Sequence, residues 1–322
     1  MVKTDSAKTS FIGAQFDTTI DAYAVANADT GEIIAGKNVD TVRPMASFAK
    51  VMTAHVLFQK GLDVSRSTVY APKDHKAQYG TFRLSAGEGV KNSDLLRAML
   101  ISSINTAAKM LSSSVGGEAG VLKTMNEQAM AWGLTKTKFV DVTGEAVPNV
   151  TTAREYLTLY RQAAHTTDLG KILGESSYSY SETFDLDGKP DHYDDSTNEL
   201  FRRKNLPYKI VNSKTGYLDE AGAGLAMEIE RKSDRKRFVV VMMGAAEYTA
   251  RFTEFDKLTN WSSRPSNCVT KCLNMSLVFA AITPHSPLLV PTIGKDQLVK
   301  AQKTKQAMET LEQELYTSKP QI

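Results

Sequence analysis

A serine and a lysine three residues apart, Ser47 and Lys50, stand at the start of the apolar segment 45–60. The segment follows Pro44 and ends at Gly61, and its apolar residues recur at helical spacing, so it predicts an amphipathic, largely buried helix. Residues i and i+3 of a helix share a face, which brings the serine hydroxyl within reach of the lysine amine. A hydroxyl becomes an effective nucleophile when a neighbouring base takes its proton. The pair therefore predicts nucleophilic catalysis at Ser47.

Lys50 can serve as that base only when its amine is neutral, because the ordinary pKa of lysine is about 10.4. Burial on an apolar helix lowers a lysine pKa, and so does a second cation nearby. Lys214, far along the chain, is the candidate for that cation. The N-terminus of the Ser47 helix also offers backbone N–H groups that could stabilise an oxyanion.

The segment from Ser103 to Asn105 falls in a break between two predicted helices, over residues 92–101 and 106–115. A loop at this point allows two polar side chains to point into one cleft. Ser103 is of the right type to relay a proton between the lysines and a leaving amine. Asn105 could hydrogen-bond to a substrate amide and hold Lys50 in place.

A third motif, Lys214-Thr215-Gly216, lies within the predicted strand 208–217. Lys214 and Thr215 could hold a substrate carboxylate through charge and a hydroxyl group. Gly216 would let a substrate backbone lie close to the strand edge, where an extended peptide can pair. The backbone N–H of Tyr217 is the predicted second oxyanion donor, and its side chain is expected to line the cleft.

Each motif alone is common by chance, but the three occur in order and each in the structural setting that its role requires. We therefore predict one site of nucleophilic catalysis that needs no metal and no cofactor. Its predicted catalytic residues are Ser47, Lys50 and Ser103. Its predicted substrate-binding residues are Asn105, Lys214, Thr215, Gly216 and Tyr217.

The elements that must position these motifs follow one another as strands, helices and strands. Residues 20–36 predict a hairpin that turns at residues 29–31. Helices are predicted over residues 45–60, 92–101, 106–115, 118–132, 151–165 and 247–262. Further strands are predicted over residues 208–217, 224–230 and 237–244. This order predicts an antiparallel sheet formed by both ends of the domain, with a helical block inserted between them.

The composition excludes several classes of protein. Of the 322 residues, 42% are hydrophobic and 23% are charged, which is typical of globular proteins. A net charge of +3 is too small for a nucleic-acid-binding surface. Cys268 and Cys272 are the only cysteines, which excludes a disulfide framework or a thiolate metal cluster in residues 1–267. No segment reaches the ~18 continuous apolar residues of a membrane span, and residues 1–10 have no apolar signal region.

From about Ile20 to Trp261, the chain resembles the low-molecular-weight penicillin-binding proteins, which are serine-type D-alanyl-D-alanine carboxypeptidases and endopeptidases. The segments that carry this resemblance are SFAKVMTA, YGTFRLSAGE, LLRAMLISSINTAA, MNEQAMAWGLTKTKFVDVTG and VNSKTGYLDEAG. The GTFRL segment and the SSIN loop are more similar to the D,D-endopeptidase branch than to the main carboxypeptidase branch.

The resemblance implies an α/β fold of the α+β type, the β-lactamase/transpeptidase-like fold. This is an antiparallel sheet with helices on both faces and an inserted helical subdomain. It also implies cleavage at a D-Ala carbonyl of peptidoglycan stem peptides through an acyl-enzyme on Ser47, and covalent inhibition by β-lactam antibiotics. Such a substrate places the protein outside the cytoplasm, in the periplasm or cell envelope, although no signal peptide is visible.

Two positions depart from the family pattern: Ile104 is bulky for the middle of its motif, and Glu145 replaces an expected apolar residue. Because class A β-lactamases activate water with a glutamate, Glu145 keeps a β-lactamase open as an alternative. A β-lactam sensor is a second alternative, although sensors normally need a transmembrane relay. His55 is interpreted as a buried core histidine. Arg251 is interpreted as a solvated helix charge, with binding of a peptide carboxylate as the alternative.

The end of the chain resembles a different family. Residues 275–322 are similar to the truncated start of an extradiol-dioxygenase-like protein, in which a histidine at the position of His285 is a metal ligand or its counterpart. The other ligands are missing, so no metal site is predicted there. The expected division is a transpeptidase-like serine peptidase domain over 1–262, a polar junction over 263–274 and a non-functional fragment over 275–322.

Overall fold

The protein is described here from a computed structural model, which covers residues 11–13, 16–166 and 168–262. The predicted junction 263–274 and fragment 275–322 lie outside the described residues, so the proposed division of the chain stays a prediction. Within the described ranges, no helix is both long enough and apolar enough to cross a bilayer.

A six-stranded antiparallel sheet holds strands from both ends of the described chain. The strands are β1 (Phe11–Gly13), β2 (Ala22–Asn27), β3 (Ile33–Lys37), β4 (Arg43–Pro44), β5 (Ser67–Val69), β6 (Gly89–Lys91), β7 (Val150–Thr151), β8 (Ser177–Ser181), β9 (Asp191–Asp195), β10 (Tyr208–Leu218), β11 (Gly222–Arg231) and β12 (Arg237–Ala245). The order across the large sheet is β1-β3-β2-β12-β11-β10, and β4–β7, β5–β6 and β8–β9 form two-stranded pairs. The predicted antiparallel sheet, with its hairpin at residues 29–31, is confirmed.

The helical block lies between β3 and β10 in the chain, as predicted. The helices are α1 (Ala49–Gln59), α2 (Pro72–His75), α3 (Asn92–Leu100), α4 (Asn105–Ser114), α5 (Glu118–Ala131), α6 (Ala153–Thr166), α7 (Leu169–Leu173) and α8 (Ala250–Ser262), with 3-10 helices at Ala46–Phe48 and Glu199–Arg202. Their bounds differ from the predicted ones by a few residues. The two strands of the β8–β9 hairpin were not predicted individually: β8 alternates Ser and Tyr as a strand should, but β9 is mostly acidic and carries little strand signal.

The two faces of the sheet pack against different helices. Along β2, Ala22 and Ala24 point into a large core with the helical block, whereas Tyr23 and Val25 point into a smaller core. The smaller core is closed by Phe252, Phe255 and Leu258 of α8. Alternation along a strand sends successive side chains to opposite faces, so the prediction of helices on both faces is confirmed.

Helix α1 is the centre of the large core. All nine residues from Ala49 to Leu57 are buried, so the helix is surrounded on all sides rather than amphipathic. The predicted amphipathic pattern is wrong in this respect, because α1 packs against α3, α4, α5 and α6 together. As a result, the Lys50 side chain lies inside the core, out of contact with solvent.

Candidate active site

Ser47 sits on the short 3-10 helix that leads into α1. The preceding residue, Ala46, has a φ of 50°, a left-handed conformation that is uncommon for a residue with a side chain. The next residue, Phe48, stacks on the ring of Tyr156 at a centroid distance of 4.4 Å, and the Tyr156 hydroxyl donates to the Phe48 carbonyl. These contacts fix the backbone on both sides of the serine, which is half-buried.

Lys50 donates hydrogen bonds of 2.7 Å to Ser47 Oγ and of 2.7 Å to the Thr143 carbonyl oxygen. Its side chain is completely buried. Burial lowers the pKa of Lys50 to about 7, although the negative charges of Asp141 and Glu145 oppose the shift. A lysine with this pKa is neutral in a substantial fraction of molecules at neutral pH, so it can accept the serine proton.

Asp141 organises the loop that holds Lys50, and sequence reasoning missed it. Its carboxylate accepts hydrogen bonds from the backbone N–H groups of Thr143, Gly144 and Ala146. Burial alone would raise the pKa of Asp141, but these hydrogen bonds outweigh it and the pKa is lowered. The charged carboxylate thereby fixes the Thr143 carbonyl on the lysine amine. Main-chain donors carry no residue-type signal, so the sequence did not single out Asp141 as part of the site.

Ser103 and Asn105 reach the same site from the turn between α3 and α4. Ser103 has a φ of 62° and its hydroxyl accepts a 2.8 Å hydrogen bond from Lys214 Nζ. The Asn105 side-chain amide donates to the Tyr79 carbonyl, not to Lys50, so the predicted role in holding that lysine is wrong. Its Oδ1 is buried and has no hydrogen-bond partner among the described residues. An incoming amide N–H of a substrate could supply the missing donor.

Lys214 and Thr215 lie on β10, at the edge of the described sheet. Burial lowers the pKa of Lys214 well below its usual value, and the positive charges of Lys50 and Arg251 lower it further. Burial is the main cause of the shift at both lysines, and the repulsion that we predicted between them contributes to the lowered pKa of Lys214. The Thr215 hydroxyl shares a 2.6 Å hydrogen bond with Thr197, a residue that sequence reasoning missed.

Gly216 allows β10 to approach the serine. A Cβ atom at this position would lie 3.1 Å from the Met45 carbonyl oxygen and 3.3 Å from the Phe48 ring. The glycine therefore brings the strand against the helix that carries Ser47, in addition to the room that we expected it to leave for substrate. Tyr217 follows with a side chain that is 42% exposed.

Arg251 on α8 is completely buried, so its interpretation as a solvated helix charge is wrong. Its Nη1 donates to the Gly216 carbonyl, and its guanidinium carbon lies 4.0 Å from the centre of the Tyr248 ring. Nε and Nη2 have no hydrogen-bond partner in the part of the chain that the structure describes. Arginine keeps its charge in proteins, and a buried cation with free N–H groups is suited to an anionic ligand.

These side chains surround one cleft of about 460 Å³. The predicted residues that line it are Ser47, Ser103, Asn105, Thr215, Gly216 and Tyr217. Residues that join them without having been predicted as parts of the site include Tyr79, Thr197 and Tyr248. The two lysines lie behind this lining and reach it through the hydroxyl groups of Ser47 and Ser103. The structure therefore brings all three motifs together, whereas His55 is buried elsewhere, beside Trp132.

Comparison with known proteins assigns this chain to a family. The model of the S11 peptidase family, D-alanyl-D-alanine carboxypeptidase, matches residues 8–247. A D-alanyl-D-alanine endopeptidase of Pseudomonas aeruginosa is 29% identical over 74% of this chain and 75% of its own length. A D-alanyl-D-alanine endopeptidase of Escherichia coli K12 is 28% identical over 81% and 82%.

Solved structures show the same fold. Penicillin-binding protein D2 of Listeria monocytogenes, in its ampicillin-bound form, superposes with a TM-score of 0.63 at 26% identity. The match covers 75% of this chain and 96% of the Listeria chain. The predicted β-lactamase/transpeptidase-like fold and the resemblance to low-molecular-weight penicillin-binding proteins are thereby confirmed. The chain belongs to the S11 family of serine peptidases, the D-alanyl-D-alanine carboxypeptidase family.

Proposed function

We propose that this protein is a D,D-endopeptidase that cleaves cross-linked peptidoglycan peptides through an acyl-enzyme on Ser47. The observation that carries the proposal is the 2.7 Å contact between Lys50 Nζ and Ser47 Oγ, in a site that lowers the lysine pKa to about 7. Membership of the S11 family supports the reaction class. The names of the Pseudomonas and Escherichia relatives support the endopeptidase branch over the carboxypeptidase branch.

Acylation begins when neutral Lys50 takes the proton of Ser47 and Oγ attacks the carbonyl carbon of the D-Ala residue. The carbonyl oxygen becomes an oxyanion, for which the backbone N–H groups of Ser47 and Tyr217 are the proposed donors. Collapse of this intermediate breaks the peptide C–N bond. The acyl group then remains on the serine as an ester.

The leaving nitrogen must gain a proton as the C–N bond breaks. Ser103 is placed for this step, because its hydroxyl lines the cleft and is hydrogen-bonded to Lys214 Nζ. The proton that Lys50 takes from Ser47 is relayed by way of Ser103 to the leaving amine, so Lys50 returns to its neutral form and no net proton is gained or lost. Hydrolysis of the ester by water restores the Ser47 hydroxyl and releases a carboxylate product.

Substrate binding is proposed to use the edge of β10 and the cationic end of the cleft. An extended peptide would pair with β10 beside Thr215 and Tyr217. The guanidinium of Arg251, together with the Thr215 hydroxyl, would hold a carboxylate on the leaving side of the scissile bond. A β-lactam would acylate Ser47 in the same way, as the ampicillin-bound form of the Listeria protein suggests. Because peptidoglycan is the substrate, we place the protein in the periplasm or cell envelope.

The test compares cross-linked with uncross-linked muropeptides, using the full chain and a Ser47→Ala variant. We expect the wild type to convert cross-linked dimers to monomers, and Ser47→Ala to be inactive. Release of terminal D-Ala from uncross-linked pentapeptide with no dimer cleavage would assign the protein to the carboxypeptidase branch instead.

Intact mass measured over time with benzylpenicillin separates the remaining alternatives. A long-lived adduct that is absent in Ser47→Ala supports the peptidase. Rapid turnover of the drug would indicate a β-lactamase, in which Glu145, a residue of the cleft lining, would be the candidate for activating water. An adduct without any peptide cleavage would indicate a sensor.

A further inference from the structure

Three carboxylates meet outside the active-site cleft, where the turn of the β8–β9 hairpin contacts the loop that leads into β6. One oxygen each from Glu88, Glu182 and Asp185 lies within 4.8 Å of the other two. The backbones of these two segments are joined directly, because Gly89 N–H donates to the Phe184 carbonyl and Thr183 N–H donates to the Gly89 carbonyl. The cluster therefore sits at a fixed junction rather than on a loose surface loop.

Glu182 has an oxygen that nothing in the described protein satisfies. Its side chain is only 1% exposed, and Oε1 is hydrogen-bonded to His192 Nε2 at 2.7 Å. Oε2 is buried and has no hydrogen-bond partner among the described residues. Leaving a buried carboxylate oxygen without a partner costs about 1–3 kcal/mol or more, so this atom is expected to take either a cation or a proton. Its neighbours in the cluster are two further carboxylates, which offer no donor while they are ionised.

We propose that Glu88, Glu182 and Asp185 form a binding site for a hard divalent cation, with calcium as the preferred ion. The donors are all carboxylate oxygens, which suit Ca²⁺ or Mg²⁺ and not the nitrogen and sulfur ligands that zinc prefers. Calcium fits better than magnesium because it tolerates several carboxylates in irregular geometry, whereas magnesium keeps most of its water. Asp185 is only half-buried, so an ion can reach the cluster from the solvent at that residue.

A cation at this junction would stabilise one wall of the active-site cleft. It would tie the turn of the β8–β9 hairpin to β6. The far end of the same hairpin contacts the loop of the second motif, since Ser102 Oγ donates to the Asp195 carbonyl and Thr197 N–H donates to the Ile101 carbonyl. Thr197 in turn contacts Thr215. The ion would therefore act on the position of cleft residues without touching the substrate.

The competing explanation is a proton on Glu182 in place of a cation. Burial raises the pKa of this carboxyl group, and the charges of Glu88 and Asp185 raise it further, although His192 opposes them. A protonated Glu182 could donate to either neighbour and would satisfy the cluster without a metal. Glutamine at this position would mimic the protonated acid, so the Glu182→Gln variant distinguishes the two explanations.

The test uses the full chain after treatment with a chelator, and isothermal titration with CaCl₂ or MgCl₂ alone. We expect one calcium site, half-saturated at about 10⁻⁴–10⁻³ M as in other extracellular modules, with weaker binding of magnesium. Calcium should also raise the melting temperature of the protein, because an ion that binds only the folded state stabilises it. These two measurements on the wild type do not depend on the folding of any variant.

Glu182→Gln and Asp185→Asn should each weaken calcium binding at least tenfold and remove the rise in melting temperature. Asp187→Asn is the matched control, because Asp187 is an exposed carboxylate of the same turn that lies outside the cluster. It should bind calcium as the wild type does. Absence of a calcium site in the wild type would overturn the proposal, as would equal binding by the Glu182→Gln and Asp185→Asn variants. No calcium binding by the wild type, together with a Glu182→Gln variant at least as stable as the wild type, would favour the proton on Glu182.

Discussion

Lys214 donates a 2.8 Å hydrogen bond to Ser103, which lies 111 residues earlier in the chain. Lys50 makes the equivalent contact with Ser47 three residues away. Each buried lysine is therefore paired with a serine hydroxyl that borders the cleft, and burial lowers the pKa of both amines. One pair is suited to activate the attacking oxygen, and the other to protonate the leaving nitrogen. One local contact and one long-range contact together define the chemistry of the site.

The rate of β-lactam acylation should rise with pH, with an apparent pKa of about 7. Lys50 accepts the Ser47 proton only when neutral, and its pKa is about 7, so the reactive form predominates above that pH and declines below it. Well below pH 7, the rate should fall about tenfold for each pH unit. The measurement is the second-order rate constant with a fluorescent penicillin from pH 5.5 to 8.5. A profile that stays flat across this range would show that Lys50 is not the base.

Arg251→Ala should reduce kcat/KM for peptide substrates by about 10–150-fold, the equivalent of about 1.5–3 kcal/mol for a hydrogen bond to a charged group. The reason is the loss of a buried cation whose Nε and Nη2 have no partner among the described residues. Arg203→Ala is the control. Arg203 pairs with Asp256, which lies on α8 as Arg251 does, but the Arg203 side chain is more exposed than that of Arg251. It should leave the peptidase activity unchanged.

A second substrate, in which the carboxylate on the leaving side of the scissile bond is converted to an amide, distinguishes two effects of Arg251→Ala. One is the loss of carboxylate binding, and the other is a general disturbance of the structure. The wild type should lose activity on this amide, and Arg251→Ala should show little further loss. If Arg251→Ala reduced activity on the acid and the amide by the same factor, the arginine would have only a structural role.

Residues whose side-chain types and order match a catalytic mechanism could be predicted from the sequence, whereas a residue that only holds a backbone loop in place could not. Ser47, Lys50, Ser103 and Lys214 were identified because their types and order match a mechanism, and the structure brings them to one site. Asp141 was missed although Thr143 and Asn149 donate to it from their side chains, because its other three donors are main-chain N–H groups, which every residue has.

Burial was the other source of error. Arg251 was interpreted as solvated because a single arginine on a helix usually lies on its exposed face. Its position against Gly216 and Tyr248 depends on how α8 packs on the sheet, which no local pattern reveals. The same limit applies to α1, whose apolar pattern indicated a helix but not that all its sides are covered.

Asp141→Asn should shift the pH profile of acylation toward lower pH. The negative charge of Asp141 favours protonated Lys50, so removing that charge lowers the lysine pKa further. The maximal rate should also fall, because an amide has a single acceptor oxygen for the loop that holds the Thr143 carbonyl. Asp63→Asn is the control, since Asp63 accepts a similar hydrogen bond from the Ser65 backbone in an exposed turn. A lower rate without any shift of the profile would leave Asp141 with a structural role alone.

Gly144→Ala should disrupt the site more than the same substitution at Gly116, another glycine with a left-handed backbone conformation. Gly144 has a φ of 85°, and a Cβ atom there would lie 1.9 Å from the Ala46 carbonyl oxygen. Gly116 has a φ of 100° but nothing within 4 Å of its Cβ position, so Gly116→Ala measures the conformational cost alone, about 1–2 kcal/mol. Urea unfolding should show a larger loss of stability for Gly144→Ala, and penicillin acylation should be impaired in that variant only. Equal losses in the two variants would mean that close packing against Ala46 does not position Ser47.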